Sequence, residues 1–555
     1  MKTLREQKSP FFICLFLTAL ASIFFAASFP NLLIKNGIPL LAWIAFVPVF
    51  ILIQRVTLPA AIFWGLLYGY AAYGLFNYWL TAFHPLAGHI VGLIYMAYLA
   101  LVFFLLKLAE TLFPKRAYIV QWVIWLAYEY AKTLGFLGYS YGIIGYSQWR
   151  QLPLIQIASV CGVWGVSALL VFVSAWLAAA LRGWRFSSGI KGLARELSAF
   201  FFREKIPLFV WAALLCAALA FGFVTMKNYD SLPKARLALI QHNTDPWKGG
   251  IDEYRRNLDA LRRLSNEALA AEPKPDMVVW SETAFVPRIY WHSTYRDDPS
   301  SWVLVKELLD YLGGQEVPFL IGNDDARKEP AKNPNPKEAY RVDYNSAMLF
   351  EKGKIIETYQ KMRLVPFTEH FPYKKQFPWL YQLLTEADTH FWEKGGKAVV
   401  FSGPGFTFSS PICFEDTFGC LSRNFVKNGA DVIINMSNDA WSASLPAQNQ
   451  HLATAVFRSV ENRRSMARAT ASGQTCGIDP SGRVIALAPS FKEAWITVEV
   501  PIEKGYTVYT RLGDYLGVVF LAAAFALLIV GGGLHIIKLK KGKEHECTEK
   551  NSYRR

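Results

Sequence analysis

Three polar residues stand at the ends of apolar strands: Glu282 follows MVVW, Lys361 follows IIETYQ and Cys413 follows TFSSPI. A thiol, a carboxylate and an ammonium group are together the parts needed for acyl transfer through a thioester. The thiol, with an ordinary pKa of about 8.5, becomes a strong nucleophile when a neighbouring base or cation favours the thiolate. The carboxylate can take that proton and later return it to a leaving oxygen or nitrogen. A fixed ammonium, with a backbone N–H near Phe414, can hold the oxyanion of a tetrahedral intermediate. Each residue also has an ordinary reading. A cysteine at a strand end is commonly a small core residue, and a Glu or Lys beside a strand commonly faces water. Spacing alone leaves both readings open.

Site residues at strand ends require a layered sheet to hold them. From about residue 228 short apolar runs alternate with amphipathic stretches, the sign of an α/β or layered α+β domain. The pattern predicts a strand over 235–243, a helix over 251–269, and strands over 276–283 and 317–323. Residues 346–361 read as a hairpin turning at Lys352 and Gly353. Further strands fall within 407–416 and 430–439, a helix covers about 447–468, and a final hairpin over 469–487 turns at 479–482.

The rest of the chain belongs to a membrane. With 555 residues, 53% of them hydrophobic and 15% aromatic, the chain is too apolar for disorder. A bilayer core needs about 20 apolar residues per helix. Eight candidates meet this: 11–28, 36–54, 58–83, 87–113, 117–134, 154–182, 207–226 and 514–538, the second of them interrupted by Pro39 and Pro48. Lys and Arg concentrate at the N-terminus, at Lys115 and Arg116, between Arg182 and Lys205, and in the tail with Lys540, Lys541 and Lys543. Since cytoplasmic loops carry that excess, both termini are expected inside and residues 227–513 outside. The first run could be a cleaved signal peptide ending near Ala26, Ala27 and Ser28. Its length, and the span that follows at once, favour a retained helix. The net charge of +15 sits beside apolar runs, which suits a membrane surface and argues against a nucleic-acid partner. The seven cysteines include no CxxC and no Cys/His pair at zinc-ligand spacing, so neither a disulfide framework, a metal nor a cofactor is predicted.

The words WSETAF (280–285), YQKMRLVPFTEHFP (359–372), PICFED (411–416) and NMSNDAW (435–441) resemble the nitrilase superfamily, whose triad is Glu, Lys and Cys. That resemblance implies Glu282 as general base, Lys361 as oxyanion-stabilising lysine, Cys413 as nucleophile, and a four-layered αββα sandwich. With the membrane segments and the junction GYTVYTRLGDYLG (505–517), nearly the whole chain is similar to the apolipoprotein N-acyltransferase family. The implied architecture is a polytopic α-helical membrane bundle over 1–227, an extracytoplasmic catalytic domain over 228–505, and a last helix with a basic tail over 506–555. The implied setting is a bacterial inner membrane with the catalytic domain on the periplasmic side. The implied reaction moves an acyl chain from a membrane phospholipid to the α-amino group of an apolipoprotein's diacylglyceryl-cysteine.

Glu369 and Glu415 match further family positions; each either orients Lys361 and lines the pocket or serves as a structural partner. Asn345 and Asn438 carry the same two readings. QHNTDPWKGG (241–250) departs from the family order of lysine before tryptophan, so Trp247 is either a lid residue that touches lipid or an ordinary packing residue. The stretch 135–149 either lines a lipid path or forms an interfacial aromatic belt, and the belt is the simpler expectation. Two other functions stay open. A membrane-anchored nitrilase-like amidase would give the acyl group to water. A transporter or receptor would use the exported domain to bind ligand; intramembrane acids would support it, yet Glu110 and Glu129 both fall near predicted helix ends.

Overall fold

The structure, a computed structural model, describes residues 10–83, 85–184, 188–330, 339–386 and 391–552. Twelve strands are described: β1 (Lys234–Gln241), β2 (Met277–Val279), β3 (Phe319–Pro330), β4 (Ala339–Glu351), β5 (Lys354–Gln360) and β6 (Phe401–Ser402), then β7 (Thr407–Ser409), β8 (Val432–Ser437), β9 (Ser465–Thr470), β10 (Cys476–Ile478), β11 (Val484–Leu487) and β12 (Ala494–Pro501). They form two six-stranded sheets, ordered β12-β1-β2-β3-β4-β5 and β11-β10-β9-β8-β7-β6.

Alternation along β1 shows how the layers assemble. Ala238 and Ile240 join a core with Leu258 and Leu261 of the helix Ile251–Ala270 and Leu304 and Leu308 of the helix Pro299–Gly313. Leu237 and Leu239 point the other way, into the core that holds Phe408, Ile433 and Met466 of the second sheet. Helices Gly419–Lys427 and Leu445–Asn462 belong to the second sheet's side, which completes an α-β-β-α sandwich.

The helix Leu445–Asn462 is buried nearly all round because the sandwich lies on one side and the membrane helices on the other. Most of its polar side chains are paired, as buried polar groups usually are, the Ser459 hydroxyl being an exception. Asn449 Nδ2 donates to Lys35 O at 2.9 Å and Gln450 Nε2 to Pro30 O at 2.9 Å. Arg458 Nη2 reaches Tyr146 OH at 3.1 Å and Glu461 Oε1 at 2.8 Å, and Val163 N donates to the same Glu461 oxygen at 3.2 Å. The stretch 135–149 meets this helix rather than lipid: Tyr141, Ile144, Tyr146 and Trp149 are buried, so its core is a seam and not an aromatic belt.

Six described helices are long and apolar enough to cross a membrane: Phe11–Ser28, Leu58–Phe76, Ala87–Leu112, Ala158–Ala180, Lys205–Thr225 and the Tyr515–Lys540 part of the last helix. Two of the eight expected spans differ. Residues 36–54 are broken into a 3₁₀ turn Pro39–Trp43 and a short helix Val47–Arg55, each with proline in its first turn, where the missing N–H does no harm. The fifth, Ala117–Ala131, has 15 residues. An amphipathic helix Gly189–Arg203 fills the basic connection, where no helix was expected.

In the layers, the helix expected to reach 468 stops at Asn462, capped by Arg463 at φ +50°, and residues 465–470 become β9 beside β8. The expected final hairpin is followed by one more strand, β12, which pairs antiparallel with all of β1.

Candidate active site

Lys361 follows β5 directly, and its N–H continues the β4–β5 ladder by donating to Asn345 O at 2.8 Å. Its side chain is buried. Nζ donates to Glu282 Oε1 at 3.1 Å and to Glu369 Oε1 at 2.8 Å. Burial opposes the charge, yet the two carboxylates outweigh it and hold the Lys361 pKa well above the ordinary lysine value. Glu369 answers to opposite pulls: burial lifts its pKa, and Lys361 draws it down. Its Oε2 accepts from Val365 N at 2.9 Å.

Glu282 sits in the turn after β2, where Thr283 has φ +43°. This turn lies so close to β3 that a Cβ on Gly322 would stand 2.2 Å from Ser281 O; only glycine leaves room. Both Glu282 oxygens are engaged: Oε1 also accepts from Asn345 Nδ2 at 2.8 Å, and Oε2 from the backbone N–H of Asn438 at 2.9 Å. Asn345 therefore meets Glu282 through its side chain and Asn438 through its main chain. The Asn438 side chain instead caps the turn Asp439–Ser442 by accepting from Ala440 N at 3.3 Å.

Cys413 opens the 3₁₀ turn Cys413–Thr417 with φ +50°, a left-handed conformation that costs a non-glycine residue roughly 1 kcal/mol or more. Glu415 holds the turn. Its carboxylate accepts from Ile412 N at 2.8 Å, Met362 N at 2.7 Å, Arg363 N at 2.8 Å and Tyr359 OH at 2.8 Å, so it joins the chain before Cys413 to the chain after Lys361. Burial pushes the Glu415 carboxyl up to about 7 against the pull of those donors. The Cys413 thiol is free and half-buried. Burial and the nearby Glu282 carboxylate raise its pKa well above the ordinary thiol value, and Lys361 opposes them.

Beneath this turn lies a buried ionic cluster. His451 Nε2 pairs with Asp416 Oδ1 at 2.7 Å and Nδ1 with Asp439 Oδ1 at 2.9 Å. Arg468 pairs with Asp416 too, and its Nη2 stands 3.6 Å from Asp439 Oδ2. Burial works against the imidazolium, but the two aspartates raise His451 to about 9. Burial likewise opposes the Asp439 carboxylate, and His451 and Arg468 prevail, lowering it to about 2. The cluster ties the Cys413 turn to the turn that offers Asn438 N–H. At the rim, Trp247 is 60% exposed and meets Trp441 edge-on at 5.0 Å, so it packs on the Asp439–Ser442 turn and not in a core.

Residues 21–176 match the family model for the apolipoprotein N-acyltransferase N-terminal domain, and residues 236–508 match that for carbon-nitrogen hydrolases. Apolipoprotein N-acyltransferase 1 of Treponema denticola is 45% identical, covering 92% of this chain and 94% of that protein. The chain belongs to the apolipoprotein N-acyltransferase family. The protein of the same name from Treponema pallidum is also 45% identical, over 95% of this chain and 97% of its own. Among solved structures, Saccharomyces cerevisiae Nit3, a member of branch 10 of the nitrilase superfamily, is 18% identical with a TM-score of 0.34, covering 50% of this chain and 93% of that one. As a member of the N-acyltransferase family the chain is a membrane-integral acyltransferase.

In this N-acyltransferase the structure gathers Glu282, Lys361, Glu369 and Asn345 directly, with Cys413 in electrostatic reach of the first three. Glu415 meets Tyr359, not Lys361. Sequence reasoning missed Tyr359, Asp416, Asp439, His451 and Arg468. Asp416 and Asp439 stand inside the words PICFED and NMSNDAW and were open to notice. His451 and Arg468 lie on a helix and a strand with no local signal.

Proposed function

We propose that this chain moves an acyl chain from a membrane phospholipid to the α-amino group of an apolipoprotein's N-terminal diacylglyceryl-cysteine, through a thioester on Cys413. One observation carries the reading: a buried ammonium is shared by two carboxylates beside a thiol whose turn is held in a left-handed conformation. Glu282 is the base, Lys361 the oxyanion donor with the Phe414 amide, and Cys413 the nucleophile. In the first half, Glu282 takes the thiol proton as sulfur attacks the ester carbonyl. The C–O bond then breaks, the proton passes to the leaving alkoxide, and a lysophospholipid departs. In the second half the amine attacks the thioester carbonyl, Glu282 receives an amine proton, the C–S bond breaks, and the thiolate regains the proton. Glu369 and Asn345 orient Lys361 and Glu282, Glu415 holds the Cys413 turn, Asn438 supplies its N–H to Glu282, and Trp247 guards the rim.

The proposed setting is a bacterial inner membrane with both termini cytoplasmic. Residues 1–227 form the membrane region, 228–505 the periplasmic catalytic layers, and 506–555 the last helix and its tail. Basic side chains support this orientation. The helix Ala158–Ala180 starts near Glu461 of the layers and ends beside Arg182, which pairs with Glu110 at 2.9 Å. At about 1.5 Å per residue it spans a bilayer core between them.

The test gives purified protein a labelled phospholipid and follows by mass spectrometry an acyl adduct on the peptide holding residue 413, then its discharge onto a diacylated lipopeptide. Discharge to the peptide amine is expected, and Cys413→Ala removes the adduct. Label that goes only to water, or an adduct that persists in Cys413→Ala, overturns the reading.

A further inference from the structure

We propose that Arg363 and Lys394, with Lys374 and His370 beside them, form a seat for the phosphodiester anion of the acyl donor, at the seam between the catalytic layers and the membrane helices. The proposal rests on the phospholipid-donor reading above and adds the part of the donor that is recognised.

Arg363 stands two residues beyond Lys361, about 7 Å along the chain. Its backbone is fixed by Glu415, and its side chain crosses to the membrane part, where Nη2 donates to Gly135 O at 2.8 Å. The loop is shaped around this guanidinium, since a Cβ on Gly138 would lie 2.3 Å from Arg363 Nη2. Phe418 supplies a floor, its ring centroid 4.4 Å from the guanidinium carbon. Phe136 of the same loop meets Phe367 and Tyr373, each at 5.5 Å, which fixes the seam on its other side.

Lys394 comes from a separate segment: the N–H of Gly395 donates to Lys361 O at 2.8 Å, which lays residue 394 against the same stretch. Among the described residues none of Arg363, Lys374 and Lys394 forms an ion pair. Glu369 is already taken by Lys361, and Glu393 is the one carboxylate felt by Lys394. Burial and Arg363 lower the Lys394 pKa, while burial and Lys394 lower that of His370, so the cations crowd one another. Crowded, incompletely paired cations favour an anion with several acceptor oxygens, and a guanidinium suits a phosphate's geometry. In a glycerophospholipid that anion is a few single bonds from the ester carbonyl, matching the step from Lys361 to Arg363. A donor held at both points presents its ester to Cys413.

The experiment compares two donors with the same acyl chains in neutral detergent micelles: a phosphodiester-bearing phospholipid and the corresponding diacylglycerol. Acyl adduct on Cys413 is timed to give kcat/KM for each. The expected result is a preference for the phospholipid that falls about tenfold or more in Lys394→Gln and in Arg363→Gln, and partly returns in Arg363→Lys. An ether-linked phospholipid, which has no ester to attack, competes in the unmodified protein and loses potency in Lys394→Gln. Lys394 is partly exposed, and among the described residues its side chain makes no hydrogen bond or ion pair, so its variant guards against loss through misfolding. Equal rates from both donors, or a preference that survives both substitutions, overturns the phosphate seat and leaves the acyl-transfer reading intact. No adduct from either donor in the unmodified protein sinks both.

Discussion

Replacing Lys361 with Met keeps most of the side chain's volume and removes its charge. The ammonium is 1% exposed and stands 3.1 Å from Glu282 and 2.8 Å from Glu369. Removing one partner of a buried pair costs about 3–5 kcal/mol, because the remaining charge has nothing to meet it. Here the cost is unequally shared. Glu282 keeps Asn345 Nδ2 and Asn438 N, whereas Glu369 keeps only Val365 N on its other oxygen. In the variant burial and Glu282 both raise the Glu369 pKa, and the Lys361 pull that opposed them is gone. A carboxylate whose folded pKa is raised destabilises the fold above that pKa and ceases to do so below its unfolded value, near 4.3. Unfolding in detergent at pH 8 therefore shows the deficit, a Tm lower by about 3–5 °C at about 1 °C per kcal/mol for a chain of 555 residues. Near pH 4.5 the two proteins converge. A variant as stable as the parent at pH 8, or a deficit that does not change with pH, would refute the reasoning, since either means the carboxylates never depended on this ammonium.

Glu415→Gln leaves at least one buried N–H, that of Ile412 or those of Met362 and Arg363, facing an amide NH₂, at about 1–3 kcal/mol; single-turnover acylation slows about tenfold, and an unchanged rate counts against a holding role for Glu415. Gly322→Ala forces the Glu282 turn away from β3, and a displacement of about 1 Å is expected to cost about a hundredfold in kcat/KM; activity within a factor of two of the parent's would show that the turn adapts. His451, raised from 6.5 to about 9, contributes about 3 kcal/mol that is fully present below pH 6.5 and lost as pH rises through 9; denaturation between pH 6.5 and 9.5 measures it, and a His451→Gln variant with an equally steep decline over that range would assign the loss elsewhere.

The sequence made Glu282, Lys361 and Cys413 visible because each interrupts an apolar run at the place where a strand must end. β5 does end at Gln360, and the Lys361 N–H is the last rung of its ladder. The Asn438 contact was out of reach, because a main-chain N–H has no letter. His451 and Arg468 were hidden for another reason: their partners are 35 and 52 residues away, and a buried imidazolium looks, in sequence, like any polar position on a helix. The first part of β9, 465–468, falls within the expected helix because both faces of SMARAT are buried, so no alternation marks it as a strand. β3 continues past its expected end at 323 through DDARKEP, whose charges find partners, as Arg288 does with Asp324 at 2.9 Å. Membrane spans were sought as apolar runs, which finds Phe11–Ser28 but overlooks Gly189–Arg203, whose apolar residues keep to one face.

On the proposed reading, an acyl donor that stays in the bilayer demands that the Cys413 sulfur be held at a fixed height above it, and the helix Leu445–Asn462 is the element that can set that height. From its first turns Asn449 and Gln450 grip the main chain at Lys35 and Pro30 in the membrane part. One residue on, His451 pairs with Asp416, three positions from Cys413, and with Asp439 beside the N–H that reaches Glu282. Its last turn is fastened through Glu461 to Val163, at the head of a membrane helix. A helix of 18 residues is rigid over that length, so a shift of the membrane helices moves the nucleophile turn and the base together. The spacing that the proposed reaction needs between sulfur, carboxylate and lipid surface is thus set through one buried helix.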